Sequence, residues 1–404
     1  MDRRTLLRGA LALSGLSLLS ACDSLPASAG RTVGLVSFSE KYGVFIASSY
    51  ADVAKVLHGE GWSNDIRTNL ALLDAVGGAG GLPPVLTKMA LFSDAPAHTR
   101  LRELVAPTVT GDALARFRPR VVSIVDSVLA GRSGRIDVLA ELGYPISTAV
   151  STELFGLGPA GAALISKELP RLSGMLELGA GKPILLEAMD AVGAFTRFLM
   201  PIVAERRARP GSDLLSDILT AANGGDRLDD EEAVATVLLM LLGQETTAQV
   251  IGNGVFALLS YRDQLELLRL RPELAGPAVD EILRFYGPVK ISGRTALVDQ
   301  YVGEQHIRPG QPLLLDIFRA NRDPDRFPDP DTLRIDREDG MSVGFGIGPH
   351  LCLGRAMVHL QVEQTLLRLF GRYSGIRLPG PDEWQPAWRD STAFRSLTEL
   401  PVLL

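Results

Sequence analysis

The sequence predicts a mainly α-helical fold with a minor β-sheet, organised around one long central helix. Three observations lead there. Residues 229–260 open on the acidic run "DDEE" and continue into the apolar "VLLMLL", a start favoured by the helix dipole and a centre that reads as a buried axis. Helical signals dominate from residue 98 onward. Residues 291–315 instead alternate and turn around glycines and a proline, as short strands do.

Taken in order, the chain begins with paired Arg3 and Arg4, an apolar stretch to Ala21 and the box "LSAC" ending at Cys22. This order resembles a twin-arginine export signal with a lipoprotein cleavage box, and the stretch is too short to span a bilayer permanently. Residues 1–22 are thus an export signal, making the protein exported or lipid-anchored, or else a first helix of a cytoplasmic protein. Residues 23–404 read as a single domain, with no repeat or linker. "GVFIASS" is strand-like and is followed by an amphipathic helix at 50–59. Residues 63–97, with "GGAGGLPP", carry few helix signals and are expected to form a mobile loop region. Helices are expected at 98–106, 111–130, 137–154, 163–207 with breaks, and 212–222. The central helix, if continuous, is on the order of 48 Å long. After the strands come the proline-rich "DPDRFPDPD" and a closing helix from about Gly354 to Tyr373.

Composition narrows the function. A net charge of -6 argues against binding to nucleic acid. Two cysteines in 404 residues exclude a disulfide framework. The five histidines form no H-E-x-x-H grouping and there is no C-x-x-C, which excludes the usual zinc motifs.

One cysteine, Cys352, stands in "GFGIGPHLCLGRA", residues 344–356. Gly346 and Gly348 permit backbone angles and close approaches that side chains forbid. The spacing predicts Cys352 in the first turn of a helix, whose dipole favours a thiolate. A thiolate can bind a soft metal or haem iron, or act as a nucleophile with His350 as base, but no separate acid or oxyanion hole accompanies it. A lone cysteine is most often simply buried. Three further groupings are individually ordinary. Glu281 and Arg284 lie i, i+3 on one helical face, where a surface ion pair is the default. In "LGQETT", residues 242–247, Thr246 is expected to bond back to the carbonyl of Leu242, and Gly243 leaves room for a ligand. His98 and Arg102 sit on a charged helix face.

Together these groupings resemble the cytochrome P-450 superfamily, from about residue 44 to the C-terminus. Phe345, Gly348, His350, Cys352 and Gly354 reproduce its haem-binding segment, Glu281 and Arg284 its E-x-x-R pair, residues 242–247 its A-G-x-(D/E)-T segment, and "FRANRDPDRF" is also typical of it. The resemblance implies a bacterial-type monooxygenase using haem b (iron protoporphyrin IX). Cys352 would be the iron ligand, supported by Phe345, Gly346, Gly348 and Gly243. His98, Arg102, Arg294 and His350 would hold the propionates, and Thr246 and Glu245 would guide protons. Glu281 and Arg284 become a buried structural pair whose third partner falls near Thr332 or Ser342. Partners implied are dioxygen, a small apolar substrate and a ferredoxin or flavodoxin with its reductase, docking on the cysteine side near Arg355 and the basic helix around Arg100; the enzyme is expected to be a monomer. Residues 63–97, roughly 165–190, Lys290 and Ile291 should line the pocket, with Leu242 narrowing it. Coupling, desaturation or peroxide-driven oxidation would use the same haem, and a haem-free recruitment module is the non-enzymatic alternative.

Overall fold

The computed structural model describes residues 36–404, so the export-signal or first-helix reading of residues 1–22 lies outside the described residues. The strands are β1 (Val36–Ser39), β2 (Val44–Ala47), β3 (Trp62–Ser63), β4 (Arg135–Asp137), β5 (Ile291–Ala296), β6 (Gln300–Val302), β7 (Gln305–Ile307), β8 (Pro312–Asp316) and β9 (Pro401–Leu403). The main sheet runs β1-β2-β8-β5-β3, with β4-β9 and β6-β7 as separate pairs. Among the described residues only β2 and β8 pair in parallel. The principal helices are α1 (Tyr50–His58), α2 (Ala97–Val105), α3 (Tyr144–Phe155), α4 (Gly158–Ser173), α5 (Lys182–Ala208), α6 (Asp230–Ser260), α7 (Ala275–Tyr286) and α8 (Arg355–Arg372).

The expected central helix is α6. Asp229 caps it by accepting from Glu232 N at 2.8 Å, while the Glu232 carboxylate accepts from Asp229 N at 2.9 Å, satisfying two orphan donors of the first turn. Its acidic start is clamped by Lys88 to Asp229 at 2.8 Å, Arg100 to Glu232 at 2.6 Å and Arg207 to Asp230 at 2.6 Å. Although long and apolar enough to cross a membrane, α6 has 83% of its most apolar window buried; α3, α4, α5, α7 and α8 pack around it. A second, smaller core of Val53, Val56, Leu57, Leu313 and Leu315 lies between α1 and the main sheet.

Several expectations are corrected. Residues 63–97 are not one loop but a series of short turns, including helices Leu70–Val76 and Pro84–Thr87, tied down by buried Leu72, Leu82, Val85, Leu86 and Met89. The segment 111–130 breaks into Gly111–Ala115 and Arg118–Leu129, because Pro119 is tolerated only in a first turn. Within 137–154, a π turn over Leu139–Gly143 precedes α3. The expected 163–207 segment begins earlier, at Gly158, with its expected break falling between α4 and α5.

Candidate active site

The cysteine loop is pressed between α1 and α8. Gly346 (φ +69°) and Gly348 (φ +74°) both adopt left-handed conformations, and a Cβ at Gly348 would stand 2.4 Å from the Leu57 carbonyl oxygen. No other residue fits that approach without displacement. Cys352 N donates to Phe345 O at 2.9 Å and Leu351 N to Gly348 O at 3.0 Å, closing the loop on itself. Cys352 does not occupy the first turn of a helix as expected: α8 starts at Arg355, after the cap residue Gly354. Burial pushes its thiol up, opposed by the backbone N–H of Gly354, the charge of Arg102 and the backbone N–H of Arg355. A bound metal ion reverses that balance, since a coordinating thiol gives up its proton.

Beside the loop the structure brings together all four predicted basic residues. The His98 and His350 rings lie 4.0 Å apart, Arg102 Nη1 donates to Leu351 O at 2.8 Å, and Arg294 Nη1 to Gly293 O at 2.7 Å and Asn64 Oδ1 at 3.1 Å. Burial pushes Arg294 down to about 10. Burial and then His98, Arg294 and Arg102 push His350 down to about 3. His98 Nε2 is buried without a hydrogen-bond partner, and none of the four makes a salt bridge among the described residues. Two guanidiniums and an orphaned imidazole nitrogen suit an anionic group. With a thiol alongside, the residues fit haem, which carries two carboxylates and an iron that takes a thiolate ligand.

On α6, Thr246 Oγ1 donates to Gly243 O at 2.8 Å, not to Leu242, and Thr247 Oγ1 donates to the same carbonyl at 3.0 Å. The hydroxyl rotamer thus selects the carbonyl three residues back. Leu242 is buried in the main core, whereas a Cβ at Gly243 would meet nothing within 4 Å. Glu245 does not bond to Thr246. Its Oε1 accepts from Tyr144 Oη at 2.8 Å and Gln249 Nε2 at 2.9 Å, with Arg389 Nη1 at 3.7 Å. Sequence reasoning missed Tyr144, Gln249 and Arg389; only Gln249, one helical turn from Glu245, had a local signal.

The pair on α7 is buried as the resemblance implied. Arg284 forks onto Glu281 through Nε at 2.7 Å and Nη2 at 2.8 Å, and also donates to the carbonyls of Asn321, Pro330 and Thr332. Its third partner is neither Thr332 nor Ser342 as a side chain. Arg337 reaches Glu281 Oε1 at 3.3 Å and is held by Asp339 at 2.6 Å.

Other placements differ too. Lys290 commits its ammonium to Ser391 O at 2.7 Å. Arg100 is paired with Asp226 and Glu232 and is not a free docking cation. On the cysteine side a depression of about 460 Å³ is lined by Cys352, Arg118, Arg355 and His359, among others. His359 lies 3.2 Å from both Asp280 and Glu363; burial alone would lower it, yet these two carboxylates raise it to about 9. A pKa raised above the ordinary ~6.5 adds stability that is full below about 6.5 and disappears as pH rises through the folded value. Wild-type protein is therefore expected to lose roughly 2–3 kcal/mol between pH 7 and 10 that His359→Gln does not lose, measured by urea unfolding at each pH; parallel curves would refute this.

A protein-family model described as Cytochrome P450 matches residues 273–389. The chain is 36% identical over 328 residues to cytochrome P450 107B1 of Saccharopolyspora erythraea, covering 80% of this chain and 78% of that protein. It is 34% identical over 367 residues to the vitamin D(3) 25-hydroxylase of Pseudonocardia autotrophica, covering 89% and 88%. The crystal structure of CalO2 superposes with a TM-score of 0.81 at 30% identity, covering 100% and 97% of the two chains. The fold and site define a haem-thiolate oxidoreductase, and the chain belongs to the cytochrome P450 family. It is accordingly a monooxygenase with haem b as its cofactor.

Proposed function

We propose that the enzyme oxidises a small apolar substrate at a haem whose iron is held by Cys352, with electrons from a separate ferredoxin or flavodoxin. The observation that carries this reading is the convergence of His98, Arg102, Arg294 and His350 beside the glycine-bound cysteine loop. Bound haem supplies the electron-transfer and dioxygen chemistry that side chains lack. Arg102 and Arg294 with the two histidines take its propionates. Phe345, Gly346 and Gly348 shape the loop, and the N–H groups of Gly354 and Arg355, which favour the thiolate, tune the iron as outer-shell donors do. Gly243 leaves room for small ligands over the site. Thr246 holds a hydroxyl there, and Glu245 is the acid that resupplies its proton. The depression lined by Arg118 and Arg355 suits an acidic electron donor.

The test is the carbon monoxide difference spectrum of the reduced, haem-loaded protein. Wild type is expected to give the red-shifted Soret band of a thiolate ligand, and Cys352→Ala to lose it entirely. Retention of that band in Cys352→Ala would assign the iron to another side chain.

A further inference from the structure

Helix α3 is joined to α6 by a polar seam. The π turn Leu139–Gly143 leads directly into α3, and π turns are enriched at functional sites. Two glycines make the contact close: a Cβ at Gly143 would lie 2.9 Å from Ala248 O, and one at Gly252 would lie 2.3 Å from Leu139 Cδ2. Ser147 Oγ donates to Gln244 O at 3.0 Å and Gln244 Nε2 to Thr148 Oγ1 at 2.7 Å. At its end Tyr144 Oη meets Glu245 Oε1 at 2.8 Å. Every polar contact of Glu245 falls on that one oxygen, from Tyr144, Gln249 and Arg389, so Oε2 is left unbonded among the described residues. Arg389 is 43% exposed while Glu245 is 10% exposed, which sets the carboxylate between solvent and the helix interior. Gln249 Oε1 is buried and lacks a protein donor, and such an acceptor is ordinarily met by water.

We propose that Tyr144 is a positioning residue for proton supply: it pins Oε1 of Glu245 and leaves Oε2 free to exchange a proton with solvent and hand it on toward Thr246. A proton taken from solvent by Oε2 and passed inward regenerates the same carboxylate, so no co-reactant is needed. The inference rests on the roles proposed for Glu245 and Thr246. Its support is geometric, and burial together with the Glu245 charge, which push the Tyr144 phenol up to about 12, agree with it.

The test uses haem-loaded full chain as wild type, Tyr144→Phe, Glu245→Gln, the double variant and Thr246→Ala, with a surrogate ferredoxin and its reductase. Peroxide released per NADH and the solvent isotope effect are measured from pH 6 to 9. Tyr144→Phe is expected to raise the peroxide fraction and shift the pH profile, about tenfold in proton supply, as loss of one hydrogen bond to a charged group implies. In the Glu245→Gln background the same change should have no further effect. An additive double variant, or an unaltered Tyr144→Phe profile, would overturn the proposal. If Glu245→Gln and Thr246→Ala themselves leave the peroxide fraction unchanged, it is the underlying site reading that fails. A readout independent of turnover uses 13Cζ-tyrosine NMR, with the Tyr144 signal identified by its loss in Tyr144→Phe. The phenol should ionise at lower pH in Glu245→Gln than in wild type, and an unmoved titration would equally overturn the proposal.

Discussion

Arg284→Ala is expected to destabilise the protein by about 3–5 kcal/mol, the cost of stranding one member of a buried ion pair. Set against the ~5–15 kcal/mol that holds typical domains together, that is a large fraction of the total. The reason is geometric. Arg284 is 2% exposed and Glu281 4% exposed, so neither can turn to water, and the carbonyls of Asn321, Pro330 and Thr332 lose donors at the same time. Arg337 still touches Glu281 but has only one contact with it, and its other bonds go to Asp339, Pro328, Asp329 and Thr332. Arg284→Lys should fall between the two, because a point charge cannot reproduce the fork. Urea denaturation of the haem-loaded protein measures it; a loss below about 1 kcal/mol for Arg284→Ala would show the pair behaving as an exposed one.

The second large effect concerns turnover rather than stability. Thr246→Ala is expected to lower product formed per NADH by about a hundredfold, the lower end of what a positioned proton donor contributes, with the missing electrons appearing as peroxide. Thr246→Ser should retain most of the wild-type yield. Stability should move by less than ~0.5 kcal/mol, because Thr247 donates to the same Gly243 carbonyl and keeps it satisfied. A Thr246→Ala enzyme with an unchanged product-to-peroxide ratio would remove the hydroxyl from the proposed role.

What could be read in the sequence was whatever sits within a few residues of itself. The cysteine loop, the Glu281–Arg284 pair and the long acidic-capped helix are each set by local spacing, and the structure keeps all three. Arg337 was missed because the proline-rich segment before it folds back by an irregular path, which no periodicity records. Tyr144 lies 101 residues from Glu245 in the chain and is brought to it by the crossing of α3 over α6, and Arg389 reaches it from the segment after α8. Arg100 looked like a free cation because its partners, Asp226 and Glu232, are more than a hundred residues away. The turns of 63–97 escaped notice because pieces of three to seven residues have little period to detect; their burial is a tertiary effect.

Consider finally the four basic side chains around the His98–His350 ring contact. Burial holds His98 and His350 below the ordinary imidazole range, so the charge to be matched is that of Arg102 and Arg294, and the haem propionates would match it. Any tightly held group adds stability by mass action, about 4 kcal/mol at a thousandfold excess over its dissociation constant. Cellular abundance of this enzyme is therefore expected to follow porphyrin supply, since unloaded chains unfold more often and are cleared by proteases.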